Sequence, residues 1–316
     1  MEPFGYGVSF LPGRGGIHGR KEWDGLERYE QAGTVYRQSR MLRRGYTTGT
    51  CAAAAAQAAA ELLLSGRAPV SVRHTTPNGT VLTLVPEEAH MEGEAAVCGI
   101  RKDSGDDPDV TGGIRIFAAV SRIPHGIEIA GGSGVGRVTR PGLKCAVGEA
   151  AINPGPRAQI TAALETALRR HGANGGLHAV ISAENGEAIA ERTYNRHLGI
   201  VGGISILGTS GIVEPMSETA LIDTIHLELD ARFAVGQRTA FLCPGNYGAD
   251  FARDTLGLPL EKAVKSSNFI GEALDYAAYR GFPEILLVGH AGKLVKLAAG
   301  GMNTHSALCD ARREIF

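Results

Sequence analysis

Gly45 to Gly66 reads GYTTGTCAAAAAQAAAELLLSG, and this stretch organises the reading of the whole chain. Three threonines and two glycines lead into Ala52–Ala60, where every residue is alanine except Gln57. Alanine has the best helix propensity and loses no side-chain entropy, so a helix is expected from Cys51 to Leu64. Thr48 or Thr50 is expected to cap its first turn, and Ser65-Gly66 to end it. With so little side chain on any face, neighbouring backbone can approach closely. The free N–H groups at its amino end suit an anion. A tightly packed core helix with an ordinary threonine cap explains the same residues, and both readings stay open.

The chain has 316 residues, long for a single core, so two domains are expected. It is 43% hydrophobic and 21% charged with a net charge of −1, which argues against nucleic acid or a membrane surface as a bulk partner. Glycine, at 44 residues, is about twice its usual share and implies many tight turns and close approaches to ligands. No apolar run is long enough to span a bilayer, and no secretory segment is evident. Cys51, Cys98, Cys145, Cys243 and Cys309 are far apart and odd in number, which suits free thiols in a cytoplasmic protein rather than a disulfide or zinc framework. Cys51, at a helix start, is a candidate for a lowered thiol pKa or for simple burial.

The first 33 residues carry no clear period and read as a partly disordered extension. After the Ala-rich helix, strands are expected at 70–74, 80–85, 95–100, 114–120 and 126–130, with a hairpin turn at Thr76–Gly79. These define an α+β domain over 34–152 with a largely antiparallel or mixed sheet. From 153 onward helical and strand patterns alternate, giving an expected α/β domain with helices on both faces of a mainly parallel sheet. Its strands are ascribed to 177–183, 204–208, 241–244, 264–267 and 284–290. Ligands in open α/β sheets sit beyond the carboxyl ends of the strands, so the loops after these segments are expected to share one rim.

Two loops invite chemistry. Arg101–Val110 holds four aspartates within seven residues, which suits either a hard cation or a solvated turn, and lacks the EF-hand spacing. Gly131–Gly142 (GGSGVGRVTRPG) is neither a dinucleotide fingerprint nor a Walker A loop, but carries Arg137 and Arg140, with Lys144 just beyond. No serine or cysteine stands at telling distance from a base, and His290, His305 and Cys309 do not form a recognised metal pattern. No protein-held metal is expected.

LRRGYTTGTCAAAAA (Leu42–Ala56), KDSGDDPDVT (Lys102–Thr111), GVGRVTRPGL (Gly134–Leu143), GEAAINPGPR (Gly148–Arg157), LGIVGGISILGTSGIVEPMSE (Leu198–Glu218), PGNYG (Pro244–Gly248), SNFIG (Ser267–Gly271) and GHAGKLVKLAAGGMNTHS (Gly289–Ser306) together closely resemble the CbiD family. The resemblance runs in order from about 34 to 316. It implies a C-methyltransferase of anaerobic cobalamin biosynthesis, moving a methyl group from S-adenosylmethionine to carbon 1 of cobalt-precorrin-5B and giving cobalt-precorrin-6A. Relatives run on past Phe316, so the second domain is expected to be shortened.

With that substrate class, several basic groups are expected to meet the carboxylates of an anionic cobalt-corrinoid. The substrate set is Thr47, Thr48, Thr50, Arg137, Arg140, Lys144, Arg157, Asn246, His290 and Lys293, with Lys265 and Lys296 as further basic candidates. The cofactor set is Gly202, Gly203, Gly208, Thr209, Ser210, Gly211 and Glu214, with Asp103 and Asp106 as alternative partners for the donor's ribose or amino group. A homodimer is possible, and no catalytic residue is assigned. A nucleotide-dependent α/β enzyme using NAD or ATP, and a non-catalytic tetrapyrrole carrier, are the rival functions.

Overall fold

The computed structural model describes residues 32–37 and 39–310, so the extension expected over the first 33 residues lies almost wholly outside the described residues. The chain begins with strands β1 (Thr34–Arg37), β2 (Arg40–Arg43) and β3 (Gly45–Tyr46), then enters helix α1 (Thr48–Ser65). A hairpin follows, β4 (Val72–Thr75) and β5 (Val81–Leu84), turning at Thr76–Gly79 as expected. Then come β6 (Glu88–Glu92), β7 (Ala95–Arg101), β8 (Arg115–Ile123), β9 (Ile127–Gly131) and the short β10 (Arg137–Val138). Helix α2 (Pro154–His171) leads into β11 (Gly176–Ala183).

Strands β6, β7, β8, β11 and β9 form one mixed five-stranded sheet in that order, antiparallel except for the β11–β9 pair. Helix α1 lies between this sheet and α2, packing on β7 and β8 with one side and on α2 with the other. That position explains the alanines. A helix covered on opposite sides has no solvent face to make polar, and only methyl-sized side chains let both neighbours approach. Ala52–Ala56 and Ala58–Ala60 are all completely buried. Gly49 meets Pro156 of α2 so closely that a Cβ there would collide with the proline ring.

Helix α1 is capped by Thr47, not by Thr48 or Thr50, and ends at Gly66 in the left-handed conformation. Cys51 does not gain an activated thiol: burial outweighs the helix terminus and pushes its pKa up to about 12. Helix α2 and β11 belong to this first layer, so the change to a parallel sheet falls later than the expected boundary at 152/153.

Beyond β11 the chain makes short helices α3 (Gly186–Ala190) and α4 (Asn195–Leu198), then β12 (Ile200–Val201) and β13 (Ile212–Val213). The expected strand at 204–208 does not join a parallel sheet. Instead β12 pairs with β10, Ile204 bridges Val135, Ile206 bridges Ile152, and β13 pairs with β3. Ile204 and Ile206 are buried in the first core, which draws this segment along the edge of the first layer.

The rest is a three-layer α/β arrangement. Helices α5 (Glu218–Ala234), α6 (Asn246–Asp254), α7 (Ile270–Arg280) and α8 (Ala291–Ala298) accompany strands β14 (Thr239–Cys243), β15 (Ala263–Lys265) and β16 (Glu284–Leu287). The sheet is fully parallel in the order β15-β14-β16. Period-two alternation sorts the central strand: Ala240 and Leu242 join a core with residues of α5 and α7, while Phe241 and Cys243 join one with residues of α6. The fold is therefore mixed antiparallel α+β followed by parallel α/β, as the pattern of elements implies.

Candidate functional site

The TTGT loop and the 205–211 segment form a clasp. Thr47 Oγ1 accepts from the Thr50 N–H at 3.2 Å, and the Thr50 hydroxyl donates to the Gly211 carbonyl at 2.8 Å. Thr48 Oγ1 accepts from the Leu207 N–H at 2.9 Å and lies 3.2 Å from the Leu207 carbonyl. The Gly49 N–H donates to that same carbonyl at 3.0 Å, and the Thr47 N–H to the Gly211 carbonyl at 3.0 Å. Gly208, with φ +129°, lies so close to the Thr47 side chain that no Cβ fits. The amino end of α1 is thus capped by the protein's own backbone. All three threonine hydroxyls are buried and bonded within the fold, so the anion expected to meet Thr47, Thr48 and Thr50 finds no free group here.

Two cavities flank the clasp. The first, about 410 Å³, is lined by Arg43, Arg44, Asp103, Ser104, Asp107 and Asp109 among others. Asp103, Asp109 and Glu87 of this cavity are paired with cationic side chains, as are Asp106 and Glu214 nearby, while Asp107 accepts from the Met216 N–H at 3.3 Å. Asp103 and Asp106 flank Arg43, each 3.4 Å away, and Asp106 also accepts from the Arg43 N–H at 2.7 Å. Glu214 pairs with Arg37 at 2.6 Å and Arg44 at 3.1 Å. Lys102, almost fully buried, meets Asp109 at 2.6 Å. Burial alone would push the Asp109 carboxyl up, but the Lys102 ammonium and bonds from Thr111 outweigh it, and the net shift is downward. Asp107 goes the other way, raised chiefly by burial. Among the described residues no three acidic, histidine or cysteine side chains converge as metal ligands, and this aspartate loop is held by cationic side chains instead.

The second cavity, about 540 Å³, opens between α1 and α2. Gln57, His74 and Gln159 line it and are each less than 10% exposed. His74 Nε2 lies 3.3 Å from Gln159 Oε1, and burial lowers the imidazole pKa, favouring the neutral ring. Thr209, exposed, is the member of the expected cofactor set that reaches this cavity, and Asp103 is the one that reaches the first. Gly202 is exposed in the left-handed conformation, Gly203 packs its backbone against Gly134, and the Ser210 hydroxyl donates to the Ile212 carbonyl at 3.0 Å.

The expected basic residues divide by occupation. The Arg137 guanidinium donates to the Gly148 carbonyl at 2.6 Å, and Arg157 to the carbonyls of Ile152 and Ile129 at 3.0 and 3.2 Å. Arg140 and Lys144 are exposed. Asn246, His290 and Lys293 lie apart from the clasp, at the carboxyl ends of the parallel strands. There Lys293 Nζ donates to Pro244 O at 2.9 Å, Asn268 Oδ1 at 3.0 Å and Ser267 O at 3.3 Å, tying two strand ends together. Burial, then Lys296, lowers its pKa. Lys265 donates to Asn246 Oδ1 at 3.3 Å, and His290 caps α8 by accepting from the Gly292 N–H. The one shared rim expected after all the strands is therefore two places, because the 204–211 loop belongs to the first layer.

One buried charge escaped sequence reading. Glu228 on α5 is 3% exposed with its Oε2 unpartnered; burial raises its pKa to about 7 although Tyr194 donates to it. No local pattern marks that pairing. Gln57 had a visible signal, as the single polar residue inside a run of buried alanines.

A family model described as CbiD matches residues 35–215. A protein of Ruminiclostridium cellulolyticum named cobalt-precorrin-5B C(1)-methyltransferase is 52% identical over 282 residues, covering 89% of this chain and 73% of that protein. One of the same name from Salmonella paratyphi B is 46% identical over 281 residues, covering 89% and 73%. A crystal structure of the cobalamin biosynthesis protein cbiD from Archaeoglobus fulgidus is 31% identical, covering 94% of this chain and 92% of that one with a TM-score of 0.48. No helix among the described residues is long and apolar enough to cross a membrane. On the family match and the identity to these curated relatives, this chain belongs to the CbiD family.

Proposed function

We propose that this protein is a C-methyltransferase of cobalamin biosynthesis, transferring a methyl group from S-adenosylmethionine to carbon 1 of cobalt-precorrin-5B and giving cobalt-precorrin-6A, in the cytoplasm. The observation that carries this reading is 52% identity over 89% of the chain to a relative of that name. In the transfer, an electron pair of the macrocycle forms the new carbon–carbon bond as the methyl–sulfur bond breaks. That bonding pair stays on sulfur, and the positive sulfonium becomes a neutral thioether.

Such a displacement needs donor and nucleophilic carbon held in line at about 3–3.5 Å, with water excluded. The chain's contribution is therefore binding and orientation. The donor lies against the 202–211 segment, where the clasp with α1 supplies a rigid backbone and Thr209 lines a cavity with polar walls and no carboxylate. Arg140 in the Gly-rich 131–142 segment and Lys144 just beyond it, both exposed, take carboxylates of the macrocycle. Asp103, Asp106 and Glu214 serve by holding Arg37, Arg43 and Arg44 in place rather than by touching the donor.

Calorimetric titration with S-adenosylmethionine, alone and with the corrinoid present, tests this reading. Binding in at least one condition supports it. Macrocycle binding with no S-adenosylmethionine binding in either condition contradicts it and indicates a carrier.

A further inference from the structure

We propose that the cavity between α1 and α2 receives the adenine end of the methyl donor, with Gln57 as its hydrogen-bonding contact and Arg73 at the mouth for the donor's carboxylate. This rests on the methyltransferase reading above and assigns that donor a place.

Gln57 is 4% exposed in a helix whose neighbouring alanines are completely buried. Its amide makes no hydrogen bond to any described residue, although it lines the cavity. Its amide atoms open onto the cavity rather than being sealed in the core, and a core that needed only volume would carry an apolar residue there. The unpaired amide offers a donor and an acceptor side by side. That matches a purine edge, where an amino group stands next to a ring nitrogen. A carboxylate has only acceptors and leaves the amide oxygen unmatched.

The other walls fit the same group. Gly155, Ala158, Ala162 and Ala163 line the cavity along one stripe of α2, giving a flat surface on which a planar ring can lie. His74 and Gln159 engage each other at 3.3 Å and add neutral polarity at depth. At 540 Å³ the cavity suits a nucleoside-sized ligand rather than a whole tetrapyrrole. No carboxylate lines it, and its charged lining residues are Arg73 and Arg170. Arg170 is paired with Glu61 at 3.2 Å, whereas Arg73 is exposed and has no ion pair among the described residues. An anionic tail extending from a neutral head meets Arg73 first.

The test is titration of the full chain with S-adenosylhomocysteine, which cannot transfer a methyl group, and separately with adenosine. Gln57→Leu should weaken both about tenfold or more, as expected for a lost buried hydrogen bond. Ala162→Leu, at an exposed helical position that tolerates leucine, should weaken both by narrowing the cavity. Arg73→Gln should weaken S-adenosylhomocysteine about tenfold and leave adenosine unchanged. Wild-type affinity for S-adenosylhomocysteine in the Gln57 and Ala162 variants overturns the assignment while leaving the methyltransferase reading intact. Loss of corrinoid affinity in those variants with S-adenosylhomocysteine affinity retained overturns it too, giving the cavity to the macrocycle. No S-adenosylhomocysteine binding by the wild type, with or without corrinoid, overturns both.

Discussion

The Thr50 hydroxyl donates to the Gly211 carbonyl at 2.8 Å across 161 positions of sequence, fastening the start of the Ala-rich helix to the end of the glycine-rich segment. Two residues earlier the Leu207 N–H donates to Thr48 Oγ1 at 2.9 Å, a second tie between the same two segments. Both threonines are buried, so removing a hydroxyl leaves backbone groups without partners rather than exposing them to water.

Thr48→Val is therefore expected to lower stability by about 1–3 kcal/mol, read from the midpoint of urea unfolding at unchanged slope. Corrinoid affinity of the folded fraction should stay near wild type. A variant of normal stability and weakened corrinoid binding would give the hydroxyl back to the ligand.

Lys102 and Asp109 form a largely buried pair at 2.6 Å. Asp109→Asn leaves an ammonium without its counter-charge and should cost about 3–5 kcal/mol. Lys102→Met combined with Asp109→Leu should recover much of that loss, because both desolvation penalties disappear. The sign with pH follows from the lowered Asp109 pKa. Its contribution is present above the unfolded carboxylate's pKa and lost as pH falls through the folded one. Thermal unfolding of the single and double variants across acid pH measures both effects.

Glu228 has the opposite sign. Its pKa rises from 4.5 to about 7 through burial, opposed by Tyr194, Arg232 and Lys265. The folded state holds the proton more tightly than the unfolded one, so ionisation costs stability as pH rises through that window. Glu228→Gln should gain stability relative to wild type between pH 4.5 and 7 and hold a constant advantage above it. The full shift corresponds to the order of 3 kcal/mol. A difference that does not vary with pH would mean that Glu228 titrates normally.

Arg140→Ala and Lys144→Ala should leave the melting temperature unchanged, since both side chains are exposed. Each should weaken corrinoid binding about fivefold, the ~1 kcal/mol of an exposed charge pair, with a smaller effect at high salt. Equal affinity for wild type and both variants at low salt would remove these residues from the substrate site.

Local signals served well where one element determined its own structure. Alanine content announced α1, the hairpin turn at Thr76–Gly79 announced itself, and short apolar strands between helices announced β14, β15 and β16. Pairing across long separations was not legible. Ile204–Leu207 has the composition of a parallel strand, yet the burial of Ile204 and Ile206 against the first layer decides its place. The same holds for side chains. Nothing near Thr47–Thr50 reveals that Leu207 and Gly211 take its hydroxyls, and nothing near Lys293 reveals that Pro244 and Asn268 accept its protons. Gln57 was legible as an exception because eight buried alanines surround it in sequence, from Ala52 to Ala60.

The most direct test is turnover. The full chain is incubated anaerobically with cobalt-precorrin-5B and S-adenosylmethionine carrying a labelled methyl group, and the corrinoid product is examined by mass spectrometry and carbon NMR. The account predicts one added methyl group, the label at carbon 1, and S-adenosylhomocysteine formed in equal amount. Label at another carbon, or corrinoid that binds and returns unmethylated while S-adenosylmethionine is untouched, would contradict it.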